Sequence, residues 1–272
     1  MSASSISALF SPIRVGNINL QHRVVLAPLT RIRAHANHVP TPQAPAYYSQ
    51  RGSAPGTLLI TEGTFISQRA GGYDNVPGIY TDAHVEGWKK VCCSFIFLQL
   101  WALGRTAETA VLAKEDNSPL VNVPRALTTN EIKEYVATMP FGLVSDGVEI
   151  HGANGYLIDQ FIQDVSNQRT DEYGGSIENR ARFALAVTDA VVEPLPWGTF
   201  SSMGMADPKP QFSYVVEQLR KHKLAYIHVV EPMPAEVTAE KNSDFLRDIW
   251  QGVEGSTFIS TNGYTRDTAI ET

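Results

Sequence analysis

The sequence predicts an α/β fold built on a parallel sheet, because candidate strands and helices alternate along its 272 residues. Several strand candidates are continuous apolar runs, as expected of strands that are covered on both faces. The length suits one barrel-sized domain, since such domains typically have about 250 residues. With 43% apolar and 18% charged residues, the chain also has enough apolar material for a globular core.

The individual elements follow from apolar periodicity and from the turn residues between apolar runs. The predicted strands are Arg23–Ala27, Leu58–Gly63, Phe95–Leu100, Gly147–His151, Ala225–Val230 and Thr257–Thr261. The predicted helices are Thr41–Arg51, Asp82–Val91, Thr129–Thr138, Ile177–Val192 and Gln211–His222. The fourth helix is the best defined. Ser176 can cap its first turn, and Phe183, Val187 and Val191 fall on one face.

Composition and charge exclude several classes of protein. The net charge of −6 and the pI of about 5.6 disfavour a nucleic-acid-binding surface. Residues Met1–Leu9 lack the basic start and apolar block of a secretory signal. The longest apolar run, Phe95–Leu103, is far shorter than the ~20 residues that a membrane helix needs. We therefore expect a cytoplasmic protein with no membrane partner. The adjacent Cys92 and Cys93 indicate buried apolar residues rather than a disulfide or metal site, and no metal is expected.

The strand from Gly147 to His151 ends in a glycine-rich turn that carries three polar side chains. His151 and Asn154 can each donate a hydrogen bond to one carbonyl oxygen, which stabilises the enolate-like charge that develops when a conjugated double bond is reduced. Tyr156 can then protonate the carbon next to the carbonyl as hydride arrives on the other side. Taken alone, the three residues are equally typical of side chains that only order a loop.

Several longer stretches resemble the Old Yellow Enzyme family, the FMN-dependent ene-reductases with a (β/α)8 barrel. The resemblance covers nearly the whole chain and keeps the family's order of segments. It is carried by residues 9–12, 19–20, 23–30, 57–67, 95–105, 147–161, 166–180, 197–200 and 203–208. It implies that His151 and Asn154 hold the substrate's oxygen and that Tyr156 donates the proton.

The resemblance is interrupted in four places. The helix after Trp88 is shorter than in the family, and a segment is missing near Thr138–Pro140. Between Val192 and Trp197 the family has a strand whose arginine reaches the flavin ring, and that arginine is absent here. The chain ends at Thr272, before the Gly-Arg segment that completes the family's phosphate site.

These interruptions predict an incomplete (β/α)8 TIM barrel. The fourth predicted helix leaves no room for a fifth strand before Pro194 and Pro196, and proline is poorly tolerated in a central strand. We therefore expect the regions of strands five and eight to be missing or degraded. The expected domain organisation is one flavin-binding barrel domain, residues 1–272, that is truncated at the C-terminus relative to the family.

The resemblance also assigns cofactor-binding roles to strand ends. It implies that Ala27, Pro28 and Leu29 line the flavin and that Thr30 hydrogen-bonds the ring near O4. Such groups suit a flavin, which needs a flat packing surface and hydrogen-bond partners matched to its ring edges. Taken singly, Thr30 is equally typical of a structural residue at a strand end.

The remaining cofactor roles fall on four further positions. Gly63 is expected to allow close approach of the flavin, Gln99 to bind its pyrimidine edge, and His151 to lie against it. Gly263 can present backbone N–H groups to the FMN phosphate, although a glycine there is also an ordinary turn residue. Because two arginines are absent, we expect FMN to bind more weakly than in the family.

Three functions remain open from the sequence. The first is an ene-reductase that uses FMN and either NADPH or NADH to reduce an enone or enal. The second is a catalytically silent remnant with a binding or regulatory role, or none. The third, a metal-dependent hydrolase with His151 as a ligand, lacks a second ligand at a matching strand end. The sequence does not indicate the oligomeric state.

Overall fold

The computed structural model describes residues 7–91, 95–115, 124–138, 145–188, 191–194, 200–232, 238 and 241–271. The strands are β1 (Ile13–Val15), β2 (Ile18–Leu20), β3 (Val25–Leu26), β4 (Leu58–Ile60), β5 (Thr64–Phe65), β6 (Phe95–Trp101), β7 (Gly147–Gly152), β8 (Val191–Pro194), β9 (Tyr226–Val230) and β10 (Thr257–Thr261). The helices are α1 (Gln43–Arg51), α2 (Asp82–Trp88), α3 (Thr109–Glu115), α4 (Thr129–Thr138), α5 (Leu157–Ile162), α6 (Ile177–Ala186), α7 (Lys209–Leu219), α8 (Asp244–Trp250) and α9 (Arg266–Glu271).

Parallel strands form an incomplete barrel, as predicted. One sheet has the order β3-β4-β6-β7-β8, and β5 extends the pairing with β6. Strands β9 and β10 form a second parallel pair, and β9 lies beside β8. Within the described ranges, no further strand follows β10 to pair with β3. The antiparallel hairpin of β1 and β2 packs Val15 and Leu20 against Leu58, Phe97 and Tyr226.

Residues 191–194 form strand β8, in the region where the barrel's fifth strand was predicted to be missing. The helix that was predicted to reach Val192 ends at Ala186, where the hydroxyl of Thr188 donates to the carbonyl of Ala184. Strand β8 follows and pairs in parallel with β7, with Glu193 in register with His151. The expectation that no strand would fit here was therefore wrong. The valines at 191 and 192 suit a strand, and Pro194 is tolerated because it lies at the strand's last position.

The helices cover the outer face of the sheet, as expected of a parallel α/β fold. The largest apolar cluster joins sheet residues such as Leu98, Ile150 and Ile227 to Phe183 and Phe212 of the helices. Helices α5 to α8 pack in sequence, each against the next. None of the helices in the described part of the chain is long and apolar enough to cross a membrane. The predictions for Cys92, Cys93, residues 139–140 and residues 197–199 lie outside the described residues.

Candidate active site

The predicted site residues lie at the carboxyl ends of the parallel strands, where (β/α)8 enzymes place their active sites. Residues 27–30 follow β3, Gly63 follows β4, and Gln99 lies near the end of β6. His151 is close to the end of β7, and Gly263 follows β10. These ends share one edge of the sheet, because the strands run in parallel.

His151 is a buried histidine that stays neutral at physiological pH. Its ring stacks on Trp101 with centroids 5.9 Å apart and meets Tyr156 edge-on at 5.1 Å. Burial lowers the pKa of His151 to about 4; the charge of Glu149 opposes this shift and that of His228 adds to it. The backbone N–H of Ala153 donates to Nδ1 over 3.3 Å, which leaves Nε2 to carry the ring proton. His151 can therefore donate a hydrogen bond from Nε2.

The turn after β7 is held by two side chains from α5. Asn154 and Gly155 both adopt left-handed conformations, with φ of 57° and 74°. Asp159 accepts a 2.9 Å hydrogen bond from the Gly155 N–H, and Gln160 donates a 2.7 Å hydrogen bond to the Gly155 carbonyl. The Asn154 side chain is partly exposed and makes no hydrogen bond with any described residue. It therefore offers a donor at the strand end.

Tyr156 lies directly before α5 and is 9% exposed. Its ring meets Trp101 edge-on at 4.6 Å, within a cluster that includes Phe65 and Leu103. Burial, together with the neighbouring Tyr73 phenol, raises the pKa of Tyr156 above its ordinary value. Tyr156 therefore keeps its proton at neutral pH, as a proton donor must.

The structure places Gln99 and Gly63 in contacts that the sequence did not predict. Gln99 is buried and donates a 2.8 Å hydrogen bond from Nε2 to Glu149. A Cβ atom at position 63 would lie 2.6 Å from the Trp101 indole, so the packing of this tryptophan requires glycine there. Trp101 thus determines the residue at position 63 and the environment of His151.

Glu149 is the centre of a buried polar network beneath the strand ends. Its two oxygens accept hydrogen bonds from Gln99, from the Tyr226 hydroxyl at 2.8 Å and from His228 Nδ1 at 3.1 Å. Burial alone raises the pKa of Glu149, but the charge of His228 and these hydrogen bonds outweigh it, so the pKa is lowered. Glu149 is therefore ionised, and its charge lies inside the barrel.

The strand ends fit a flavin better at the ring than at the phosphate. Leu29 is 55% exposed after β3, with Ala27 and Pro28 partly buried and Thr30 exposed beside it, which leaves an apolar surface uncovered. Beyond β10, Gly263 is exposed with φ of 73° and can present its backbone. At the ends of β9 and β10, however, the Glu231 carboxylate accepts a 2.6 Å hydrogen bond from Ser260, and its negative charge, which Arg247 at 3.9 Å only partly offsets, opposes a phosphate.

Comparison with known proteins identifies the family. Residues 8–272 match the model of the NADH:flavin oxidoreductase / NADH oxidase family. The crystal structure of Old Yellow Enzyme from Pichia sp. AKU4542 superimposes with a TM-score of 0.85 at 35% identity, covering 97% of this chain and 78% of that one. The chain belongs to the Old Yellow Enzyme family. The chain covers 78% of the Pichia enzyme, and this shorter length agrees with the interruptions seen in the sequence.

Two relatives of this chain have contrasting names, one that of a reductase and the other that of an inactive protein. The chain is 45% identical to a chanoclavine-I aldehyde reductase of Penicillium roqueforti, over 97% of this chain and 81% of the relative. It is also 45% identical to a protein of Epichloe festucae var. lolii named "Probable inactive reductase", over 83% of this chain and 68% of the relative.

Sequence reasoning missed Trp101, Asp159, Gln160 and the Glu149 network as parts of the site. A signal for two of them exists, because Asp159 and Gln160 are polar residues at adjacent positions of an otherwise apolar helix. Burial raises the pKa of Asp159 to about 7, although hydrogen bonds from Gln163 and Gly155 oppose the shift.

Among the described residues, no three His, Cys, Asp or Glu side chains are grouped to hold a metal.

We expect the His151 ring to titrate near pH 4 rather than near its reference value of about 6.5. The cause is burial, which disfavours the imidazolium form. Because the folded-state pKa is the lower one, the contribution of His151 to stability is present above about pH 6.5 and is lost as pH falls towards 4. Histidine NMR titration, assigned with a His151→Asn variant, measures this value. A His151 pKa above 6 contradicts the neutral-donor assignment.

Substitution of Gly104 with alanine is expected to lower the free energy of unfolding by about 1–3 kcal/mol more than the same change at another left-handed glycine, because the added Cβ overpacks the site. Gly104 has φ of 60°, and an added Cβ would lie 2.3 Å from Oε1 of Gln160. Gln160 bridges the carbonyls of Leu103 and Gly155, so a displaced Gln160 also loosens the turn after β7. Chemical denaturation measures the loss. Gly252→Ala is the matched control, since Gly252 has φ of 77° with nothing within 4 Å. Equal losses in both variants contradict a specific clash with Gln160.

Proposed function

We propose that the protein is an FMN-dependent oxidoreductase that reduces the C=C bond of α,β-unsaturated aldehydes or ketones with NADPH or NADH as the electron donor. The observation that carries this proposal is the pairing of a neutral, Nε2-protonated His151 with a protonated Tyr156, whose rings are 5.1 Å apart. One is suited to hold a carbonyl oxygen and the other to supply a proton. The aldehyde-reductase name of the Penicillium relative supports an aldehyde as the substrate class.

In this proposal, FMN would when bound be the source of the hydride that the β-carbon receives. His151 Nε2–H and the Asn154 amide donate hydrogen bonds to the substrate's oxygen, which draws electron density from the double bond. Tyr156 gives its proton to the α-carbon, so that one hydride and one proton add across the double bond. Ala27, Pro28 and Leu29 would line the flavin ring, and Thr30 would hydrogen-bond it near O4. Gln99 would bind its pyrimidine edge, and Gly263 would contact the phosphate.

The affinity for FMN is expected to be weak. No arginine occurs in the sequence between Arg182 and Arg220, which includes the whole of β8, so this strand brings no cation to the flavin. The Glu231 carboxylate at the phosphate end acts in the same direction, to the extent that its partner Arg247 does not offset its charge. We also propose that the chain acts as a single flavin-binding domain in the cytoplasm.

The test is a titration of the purified chain with FMN, followed by NADPH consumption in the presence of cyclohexenone. Saturable FMN binding with enone-dependent NADPH oxidation supports the proposal. A chain that is folded by circular dichroism but binds no FMN at any concentration contradicts it. That outcome supports the second candidate, a catalytically silent binding protein, which the relative named as inactive also favours.

A further inference from the structure

A cavity of about 470 Å³ lies outside the proposed flavin site, between the loop after β6, helix α4 and helix α5. Its volume falls within the range of about 300–1,000 Å³ that is typical of sites for small molecules. None of the catalytic residues lines it, although Leu157 and Gln160 of its wall follow Tyr156 closely in the chain. The cavity is therefore a separate site that adjoins the catalytic turn.

The walls of this cavity are apolar, and its rim is cationic. Leu112, Leu127, Leu157 and Phe161 contribute apolar surface. Its charged lining residues are Arg69, Arg105, Arg125, Arg169 and Glu131. Three carboxylates, Glu131, Glu134 and Asp171, pair with these arginines, so four arginines stand against three carboxylates here. Such a combination suits a ligand with an apolar body and an anionic head group.

The four arginines differ in whether the guanidinium charge is already paired with a carboxylate. Arg69 and Arg125 pair with Glu131 at 3.1 and 2.7 Å, and Arg169 pairs with Asp171. Arg105 instead donates from Nη2 to the Ser201 carbonyl at 3.0 Å and to the Met203 sulfur at 3.4 Å, both of them uncharged groups. A guanidinium has five N–H donors, so Arg105 has further donors to offer, although its charge also acts on the buried Asp159 carboxyl. It is the residue most able to bind an anion.

We propose that this cavity binds a small organic anion, in which a carboxylate or phosphate monoester contacts Arg105 and a two-ring aromatic or similar apolar body fills the space between Leu112 and Phe161. The ligand would lie against Gln160, which bridges the carbonyls of Leu103 and Gly155. Binding at this cavity does not depend on the proposed reductase activity.

Isothermal titration of flavin-free protein tests the proposal with three probes of similar size: 2-naphthoate, 1-naphthyl phosphate and the neutral 2-naphthamide. We expect one of the two anions to bind saturably with one-to-one stoichiometry, and the amide to bind at least about tenfold more weakly. The comparison of the two anions distinguishes a carboxylate ligand from a phosphate ligand. Equal affinity for the amide, or no binding of either anion, overturns the proposal.

Two variants locate the bound anion. Arg105→Gln is expected to weaken binding by about tenfold to a hundredfold, because it removes the charge-assisted hydrogen bonds. Leu112→Trp should weaken binding independently by filling the cavity from the opposite wall. Arg220→Gln, at an exposed arginine outside the cavity, is the matched control and should bind as the wild type does. Circular dichroism checks that each variant is folded, and unchanged binding in a folded Arg105 or Leu112 variant contradicts the assignment.

Discussion

Replacing Tyr156 with phenylalanine is expected to slow reoxidation of the reduced protein by cyclohexenone by about 10²- to 10⁴-fold, the usual contribution of a positioned general acid. Reduction of the protein by NADPH should change little, since no proton transfer from Tyr156 is required in that half-reaction. Tyr156 has the properties that this role demands. Its pKa is raised by burial and by Tyr73, and its ring is fixed against Trp101 and His151.

The two half-reactions are best measured separately by stopped flow, at FMN concentrations that saturate the site. Tyr173→Phe is the matched control, because Tyr173 is also a buried tyrosine but packs against Phe161 rather than against His151. It should leave both rates near the wild-type values. If Tyr156→Phe reduces both half-reactions equally, Tyr156 has a structural role and the proton donor is another group.

The parts of the site that the sequence predicted are those encoded locally. His151, Asn154 and Tyr156 are within six residues of one another, and the glycine between the last two favours a tight turn. The strand before them has apolar residues at Val148 and Ile150 and an identifiable end. Local chemistry of this kind constrains the backbone directly, and in the structure the rings of His151 and Tyr156 are 5.1 Å apart.

Contacts between distant segments could not be predicted in this way. Gln99 and Glu149 are 50 residues apart, and Tyr226 and Glu149 are 77 apart, so no local pattern indicates that they meet. The same limit explains why the close approach of Trp101 to Gly63 was not predicted. Strand β8 was missed for a different reason. Val191 matched the face of the preceding helix and also suits a strand, and only pairing with β7 decides between them.

Replacing Glu149 with leucine is expected to lower the free energy of unfolding by about 3–5 kcal/mol, the typical result of removing one partner from a buried ion pair. The loss arises because Gln99, Tyr226 and His228 would each be left with a buried donor that has lost its acceptor. Glu149→Gln keeps the shape and one acceptor oxygen, so about 1–3 kcal/mol is expected for it. Urea denaturation at neutral pH measures both values, with the exposed Glu217→Gln as a control that should show no measurable change.

The pH dependence separates the charge of Glu149 from its packing. Because the folded-state pKa of Glu149 is lowered, its ionised form contributes stability above the unfolded-state value of 4.5, and this contribution is lost as pH falls through the folded-state pKa. The stability difference between the wild type and Glu149→Gln should therefore narrow in acid. A packing defect would instead give a difference that does not depend on pH, because apolar contacts do not titrate. A constant difference from neutral pH down to the acid limit of folding would thus show that Glu149 is not held as a carboxylate inside the barrel.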